Sequence, residues 1–268
     1  MNDREFSCEQ CSVGDPEGAP ILRLVGVDKI LDGKKVLDSV DLDIPRNRIT
    51  AIIGLSGAGK SVLLKHMIGL LKPDRGQVLL DGVDLFHLSR KELFETRRRF
   101  GMLFQSGALF DSLDVFGNVA FPLREKTTLD ESQIRERVQG ILRKVGLERA
   151  GEKFPDELSG GMVRRVALAR AMVMDPEIIL FDEPTTGLDP IIRNSILHLI
   201  CRTFHDHKFT MVMISHDIPD IFHWCHHVVV VHGGKVIEAG APKDVRNSVN
   251  PFVRQLVEGE IHGPVHLM

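Results

Sequence analysis

The sequence of 268 residues lacks the features of membrane-spanning, secreted and nucleic-acid-binding proteins. It has no apolar run approaching the roughly 18–20 residues that a bilayer-spanning helix needs. The first residues have neither the positive nor the apolar segment of a secretion signal, so secretion is not expected. The formal net charge is −3, so no overall positive field favours nucleic acid. Any association with a membrane is therefore expected to run through another chain.

Cysteine is also scarce, because the chain has only four, and Cys8 and Cys11 form its single C-x-x-C pair. Such a pair is half a zinc site or a redox pair, but no second pair stands at metal-ligand spacing. Free thiols in a reducing compartment are the interpretation that the sequence favours. The pair lies in residues 1–20, whose polar composition with Gly and Pro predicts a flexible leader.

The sequence does have a hydrophobic content of 43%, distributed in patterns typical of both strands and helices. This content and the chain length predict one large α/β domain, or an α/β core with a smaller subdomain. We predict strands at residues 21–25, 40–44, 49–53, 77–80, 99–104, 178–181, 209–214, 228–231 and 235–239. We predict helices at residues 60–68, 89–99, 130–145, 158–174, 190–200 and 252–258.

The strand signals stop between about residues 107 and 160. Asp130 is expected to cap a helix there whose apolar residues have helical spacing, and Gly146 to end it. We therefore predict a helical subdomain at about residues 107–165, inserted in a domain that spans 21–240. Residues 241–268 are predicted to form a helical tail, whose apolar side chains could pack against a neighbouring chain.

One stretch, Gly54-Leu55-Ser56-Gly57-Ala58-Gly59-Lys60-Ser61, fits the phosphate-binding pattern G-x-x-x-x-G-K-[ST] at every defined position. It lies between a predicted strand and a predicted helix, as a phosphate loop does. Its glycines let backbone N–H groups at the helix N-terminus point at a phosphate. Lys60 is expected to reach the β- and γ-phosphates, and the Ser61 hydroxyl to ligate Mg²⁺. The alternative is a chance match in a glycine-containing turn, which the flanking elements disfavour.

Two carboxylates, Asp182 and Glu183, follow an apolar run at the C-terminal end of a predicted buried strand. Open α/β sheets bind their ligands at this end of their strands. Asp182 is placed to hold Mg²⁺, directly or through water, and Glu183 to act as general base on the attacking water. The alternative is a pair of surface acids, which the phosphate loop upstream disfavours.

Gln105 and His216 also follow predicted strands directly. Gln105 could accept a hydrogen bond from the lytic water and contact Mg²⁺, and His216 could contact a γ-phosphate. Neither is specific alone, since a lone His is more often structural or exposed. His223, His226 and His227 suggest a metal only weakly, and an ordinary helix end is the favoured interpretation.

The stretch Leu158-Ser159-Gly160-Gly161 opens a helix far in sequence from the phosphate loop. We interpret it as a second anion-binding helix terminus. Because one chain needs only one such terminus for ATP, the second suggests a nucleotide held between two chains. Hydrolysis would then require a dimer.

Together these motifs resemble the ATPase subunits of ABC transporters. The resemblance covers about residues 20–240 and implies a P-loop NTPase (RecA-like) core with N-terminal antiparallel β strands and an inserted α-helical subdomain. It also implies ATP hydrolysis by a head-to-tail homodimer that holds two ATP. It is carried, in family order, by residues 54–61, Gln105, 158–162, Asp182-Glu183, Gly187-Leu188-Asp189 and His216.

The resemblance also assigns roles to individual residues. Ser159, Gly160 and Gly161 would contact the nucleotide held by the partner chain, and Asp189 would link the two sites. The catalytic residues would be Glu183, His216 and Gln105, and Mg²⁺ would be held by Ser61, Gln105 and Asp182. The loop at Gln105 and the helical insertion would receive a coupling helix from a permease.

The chain departs from the family pattern at two positions. Met162 stands where Gln is commoner, and this change should leave the anion contacts intact. Leu31 occupies the position where many relatives stack an aromatic ring on adenine, so base selectivity is expected to be looser.

Shorter stretches resemble the ATPases of MCE-type lipid transporters of the Mla kind. They are residues 104–111, 118–125, 161–167 and 263–265. This resemblance implies phospholipid transport between the inner and outer membranes, powered from the cytoplasmic face of the bacterial inner membrane. It also implies an MlaE-like permease, an MCE-domain protein and often a small STAS-domain protein as partners.

Two other functions fit an ABC-type ATPase. The first is a small-solute importer, such as one for amino acids, against which residues 105–111 argue. The second is a protein that acts on DNA or ribosomes rather than in transport. Relatives that act in DNA repair have a long coiled coil between the phosphate loop and the 158–162 motif, and relatives that act on ribosomes usually carry two motif sets. This sequence has one motif set and no long coiled coil, and its negative net charge also disfavours nucleic acid.

Overall fold

The computed structural model describes residues 18–207, 209–218 and 220–264. The chain divides into two compact units, residues 1–97 with 210–268 and residues 98–209. Of the predicted leader, only residues 18–20 are described, so the Cys8/Cys11 pair lies outside the described residues. Cys225 is a buried free thiol.

The described chain contains both strands and helices. The strands are β1 (Leu22–Leu31), β2 (Lys34–Ile44), β3 (Ile49–Ile53), β4 (Arg75–Leu80), β5 (Val83–Asp84), β6 (Phe100–Leu103), β7 (Ile178–Asp182), β8 (Thr210–Ile214), β9 (His227–His232) and β10 (Lys235–Gly240). The helices are α1 (Lys60–Met67), α2 (Arg90–Thr96), α3 (Val115–Lys126), α4 (Glu131–Lys144), α5 (Gly160–Met172), α6 (Pro190–His207), α7 (Pro242–Arg246) and α8 (Pro251–Glu258).

The first unit begins with an antiparallel sheet of order β2-β1-β4-β5. Asp32 and Gly33 join β1 to β2 with φ angles of 50° and 76°. Positive φ at both turn residues matches the twist of a two-residue hairpin, so this turn fixes the pairing of the two strands. The predicted N-terminal antiparallel strands are confirmed. β4 starts at Arg75, two residues earlier than predicted, because it pairs with β1 over this stretch.

The same unit contains four further strands in the order β10-β9-β3-β8. β9, β3 and β8 are parallel, and β10 returns antiparallel to β9 across Gly233-Gly234. Every residue of β3 and β8 is buried. Such continuous apolar burial is typical of parallel strands covered on both faces. The phosphate-binding stretch therefore starts from a strand that is fixed by its core packing.

The C-terminal tail packs on its own chain. Phe252 and Val253 of α8 are buried, and the centroids of the Phe252 and His232 rings are 4.0 Å apart. These two side chains are therefore committed within the chain, whereas Ile261 is 76% exposed.

The second unit contains the parallel pair β6–β7 and helices α3 to α6. Asp130 caps α4 as predicted, since its side chain accepts a hydrogen bond from the Gln133 N–H in a reciprocal capping box. Helix α3 is absent from the helices predicted above; its cap is Asp114 and it contains Pro122. A proline inside a helix removes one backbone hydrogen bond and weakens the sequence signal.

In the described ranges, no helix is both long and apolar enough to cross a bilayer.

Candidate nucleotide site

The phosphate loop connects β3 to α1 and depends on close backbone packing at two glycines. Gly54 has a φ of 152°, and a Cβ there would lie 2.1 Å from the Val231 carbonyl oxygen. Gly59 has a φ of 100°, and a Cβ there would lie 2.9 Å from the Val36 carbonyl oxygen. Both separations are too short for a side chain. Strands β2 and β9 therefore hold the loop in one shape that only glycine permits.

Lys60 is the first residue of α1, and its ammonium group lies under the loop. The side chain is 5% exposed, and Nζ donates to the carbonyl oxygens of Gly54 and Leu55 at 2.9 Å each. In the described chain, no side chain caps the start of α1, and its first turn carries no acidic residue. The dipole of α1 places partial positive charge at this end, and no acidic side chain in its first turn offsets that charge. A buried cation beside a helix N-terminus fits the phosphates of a nucleotide.

The proposed motifs are divided between the two units. The phosphate loop and His216 belong to the first unit, and the remaining proposed residues belong to the second. His216 follows β8 by two residues and is exposed.

The register of β6 and β7 brings Gln105 and Glu183 together. Leu103 of β6 pairs with Phe181 of β7 in a parallel ladder. Gln105 and Glu183 each lie two residues beyond this pair, so both follow the same edge of the ladder. Gln105 Nε2 donates to Glu183 Oε2 at 2.7 Å. The strand pairing therefore assembles two residues that are 78 positions apart.

Glu183 also accepts a hydrogen bond from the turn that follows β7. Its φ is 53°, which is rare for a residue with a side chain and is common near functional sites. The Thr186 hydroxyl donates to Glu183 Oε2 at 3.1 Å, so this oxygen accepts two hydrogen bonds. Asp182 is the last residue of β7 and is partly exposed. The strand end thus presents two adjacent carboxylates, one of which is fixed by named donors.

Ser159, Gly160 and Gly161 form the start of α5. The Ser159 hydroxyl accepts a hydrogen bond from the Met162 N–H at 3.3 Å, so Ser159 is the N-cap. This contact uses only the backbone of Met162, so the unusual side chain at that position leaves it unchanged. Asp189 caps α6, because its Oδ1 accepts from the N–H groups of the two residues that follow Pro190, at 3.0 Å each.

The chain has two runs of arginine, residues 97–99 and 164–165, and four of these arginines bind oxygen atoms of the protein. Arg164 and Arg165 are half-buried and donate to the carbonyl oxygens of Thr186 and Val145. Arg97 donates to the carbonyl oxygens of Ile68 and Gly69, and Arg99 pairs with Glu177. An arginine can satisfy carbonyl oxygens from several directions, which its position in sequence does not reveal.

Two histidines after Trp224 pack near the start of β3. His226 Nδ1 accepts a hydrogen bond from the Ile49 N–H at 3.1 Å. Burial, with a smaller effect from Arg48, lowers the pKa of His227. Within residues 18–207, 209–218 and 220–264, no group of three or more His, Cys, Asp or Glu side chains could hold a metal ion.

Thr186, Arg164 and Arg170 were missed as candidates by the sequence analysis. Thr186 donates to Glu183, Arg164 donates to the Thr186 carbonyl oxygen, and Arg170 donates to the Gly107 carbonyl oxygen in the loop after Gln105. Thr186 does lie three residues after Glu183, within the span of a local side-chain hydrogen bond, and that spacing could have indicated it. Nothing in the local sequence indicates the carbonyl partners of the two arginines.

Comparison with known proteins gives matches over most of the chain. The sequence pattern of the ABC transporter family matches residues 37–186, which include the phosphate loop, Gln105 and Asp182-Glu183. The intermembrane phospholipid transport system ATP-binding protein MlaF of Haemophilus influenzae is 46% identical over 86% of this chain and 87% of that protein. The probable ribonucleotide transport ATP-binding protein mkl of Mycobacterium leprae is 41% identical over 93% of this chain and 72% of that protein.

A solved structure has the same fold. It is the ATP-binding cassette MJ0796 in a dimeric post-hydrolysis state bound to ADP and Pi. It matches with a TM-score of 0.75 at 31% identity, over 83% of this chain and 99% of that chain. The predicted α/β fold with a P-loop NTPase core is confirmed by this likeness.

Proposed function

Because the chain belongs to the ABC transporter family, we propose that it is the ATP-hydrolysing subunit of a transporter that moves phospholipid between two membranes. Nucleotide binding and ATP hydrolysis follow from family membership and from the phosphate loop. The substrate rests on one observation, the 46% identity over 86% of the chain to an intermembrane phospholipid transport ATPase.

In the first unit, the phosphate loop would bind the nucleotide. Lys60, together with the N–H groups at the start of α1, supplies positive charge where the phosphates need it. The carbonyl contacts of Lys60 hold its ammonium group in place, so little rearrangement is needed on binding. His216 would contact the terminal phosphate.

In the second unit, Glu183 would accept the proton of the attacking water. Its two donors, Gln105 and Thr186, fix its carboxylate in one orientation, which lowers the entropy lost on reaching the reactive geometry. Gln105 and Asp182 of this unit, and Ser61 of the first unit, carry oxygen atoms of the kind that Mg²⁺ prefers. Mg²⁺ would supply charge stabilisation to the phosphoryl oxygens.

The active form would be a homodimer with two nucleotides. The start of α5 is a second helix N-terminus, and Ser159, Gly160 and Gly161 would contact the nucleotide bound by the partner chain. Asp189 would link the two sites. The similarity to a dimeric cassette bound to ADP and Pi supports this arrangement.

The membrane partners are proposed from the resemblance to the ATPases of MCE-type lipid transporters. The chain would bind an MlaE-like permease on the cytoplasmic face of the inner membrane, together with an MCE-domain protein and, as is often the case in such transporters, a small STAS-domain protein. Membrane association would thus be peripheral and through these partners.

A second substrate has a specific observation in its favour. The match to the probable ribonucleotide transporter ATPase extends over 93% of this chain, further than the match to MlaF. Its identity is lower, at 41%, and it covers 72% of that longer protein. The phospholipid substrate is therefore preferred, and ribonucleotide is the alternative to test. If the chain is instead the ATPase of an amino-acid importer, it should co-purify with a small-solute permease.

The deciding experiment is purification of the chain with its partners from native membranes in mild detergent. Mass spectrometry of the complex should identify an MlaE-like permease, an MCE-domain protein and bound phospholipid. The complex in phospholipid vesicles should hydrolyse ATP, and the Glu183→Gln complex should not. A solute permease without an MCE-domain protein would refute the lipid substrate. Wild-type turnover no greater than that of Glu183→Gln would refute the ATPase assignment.

A further inference from the structure

Glu183 is held by two donors that approach from different parts of the second unit. Gln105 reaches it from the loop after β6, and Thr186 reaches it from the turn that follows β7. Both side chains are exposed, so neither is fixed by packing around its own tip. The orientation of the Glu183 carboxylate therefore depends on how the two backbone segments that carry these donors are held.

Arg164 of α5 holds the segment that carries Thr186. Its Nη2 donates to the Thr186 carbonyl oxygen at 3.3 Å. The guanidinium is half-buried, and burial lowers its pKa from the ordinary value. A hydrogen bond from a charged donor is stronger in such surroundings than in water. Arg164 thus ties the backbone of Thr186 to a helix while the Thr186 hydroxyl bonds Glu183.

Arg170 of the same helix holds the loop that carries Gln105. Its Nη2 donates to the Gly107 carbonyl oxygen at 2.7 Å, and its Nη1 to the Ala108 carbonyl oxygen at 2.8 Å. Burial also lowers the pKa of this guanidinium. A Cβ on Gly107 would lie 2.9 Å from Val163 Cγ1, so this part of the loop packs directly against α5. The loop is therefore fixed two residues beyond Gln105.

The geometry points to Arg164 and Arg170 as positioning residues for Glu183, acting through Thr186 and through the Gln105 loop. Helix α5 thereby holds the proposed base from both sides. This inference rests on the proposed function, because it assigns Glu183 a role in ATP hydrolysis. It also makes Thr186 a direct donor to the base rather than a turn residue of no consequence.

Arg165 provides a matched control on the same helix. It is half-buried like Arg164, and it donates to the Val145 carbonyl oxygen at 3.0 Å and to Ser195 Oγ at 2.7 Å. None of these contacts reaches Glu183, Gln105 or Thr186. Arg165→Met removes the same charge and a similar set of hydrogen bonds, so it reports the cost of losing any arginine from α5.

The test measures kcat and KM for ATP, together with nucleotide binding, for full-length variants in the purified complex. Arg164→Met, Arg170→Met and Thr186→Val should each lower kcat about tenfold, with KM and nucleotide affinity changed by less than about twofold. Thr186→Ser retains the hydroxyl and should recover most of kcat. Arg165→Met should stay within about twofold of wild type in both parameters.

A double variant tests whether Arg164 and Thr186 act together. If they share one path to Glu183, Arg164→Met with Thr186→Val should lose little more activity than the worse single variant. Additive losses would overturn the inference, as would equal kcat values for Arg164→Met and Arg165→Met. Thr186 is exposed, so Thr186→Val should fold. A change in its KM as large as its change in kcat would also overturn the inference. Absence of turnover in the wild-type complex would instead refute the proposed function.

Discussion

Asn118 should be essential to the stability of the loop between β6 and α3, and its replacement tests which contacts hold that loop. The side chain has no exposed surface. Its Oδ1 accepts from the Phe110 N–H at 2.8 Å. Its Nδ2 donates to the carbonyl oxygens of Phe110, Leu113 and Asp114 at 3.0, 2.9 and 3.0 Å. The two N–H groups of the amide are shared among the three carbonyl oxygens, so one side chain contacts four backbone groups of the loop.

Asn118→Ala removes all four hydrogen bonds at once. A buried group left without a partner costs about 1–3 kcal/mol, and water entering the space of the lost amide can satisfy some of the four. Counting the Phe110 N–H and one carbonyl as unsatisfied gives a loss of about 3 kcal/mol. Since about 1.4 kcal/mol is a factor of ten, the loop should open about 100-fold more often.

Hydrogen–deuterium exchange read by mass spectrometry measures this opening. The peptide amides of residues 107–117 should exchange about 100-fold faster in Asn118→Ala. Asn118→Asp should be worse, because it places a carboxylate oxygen against three carbonyl oxygens. Asn250→Ala is the control, since Asn250 caps α8 through one hydrogen bond to the Phe252 N–H. Unchanged exchange in residues 107–117 of Asn118→Ala would refute the assigned contacts.

Three further predictions follow from the site and from α1. Glu183→Gln should bind ATP and accumulate as a closed dimer in size-exclusion chromatography, and near wild-type turnover would reject Glu183 as the base. Leu31→Phe should raise the affinity for ATP relative to GTP in competition binding, and an unchanged ratio would remove Leu31 from base recognition. Burial lowers the pKa of His66, which has no exposed surface and whose Nδ1 contacts the Val62 carbonyl oxygen at 2.7 Å. The unfolded chain therefore binds the proton more readily, so stability should fall as pH drops below the ordinary histidine pKa of about 6.5. His66→Leu should lose less thermal stability than wild type between about pH 7 and 5.5, and equal losses would contradict this.

Local signals were sufficient for most of the secondary structure. The phosphate loop pattern, the apolar runs of β3 and β8 and the cap at Asp130 lie where the sequence predicts. Each of these signals acts between residues that are close in the chain, so it survives in any tertiary context. Helix α3 was missed because its interior proline obscures a pattern that packing nevertheless stabilises.

The sequence by itself determined the family resemblance, the nucleotide loop and the identity of the proposed base, because these depend on residue types at fixed local spacing. Only the tertiary structure decided what holds the base. The contact between Gln105 and Glu183 arises from the parallel register of two strands that are far apart in sequence. The contacts of Arg164, Arg170 and Asn118 go to backbone oxygens, which every residue carries. A backbone partner leaves no trace in residue identity, so only folding reveals which carbonyl each side chain meets.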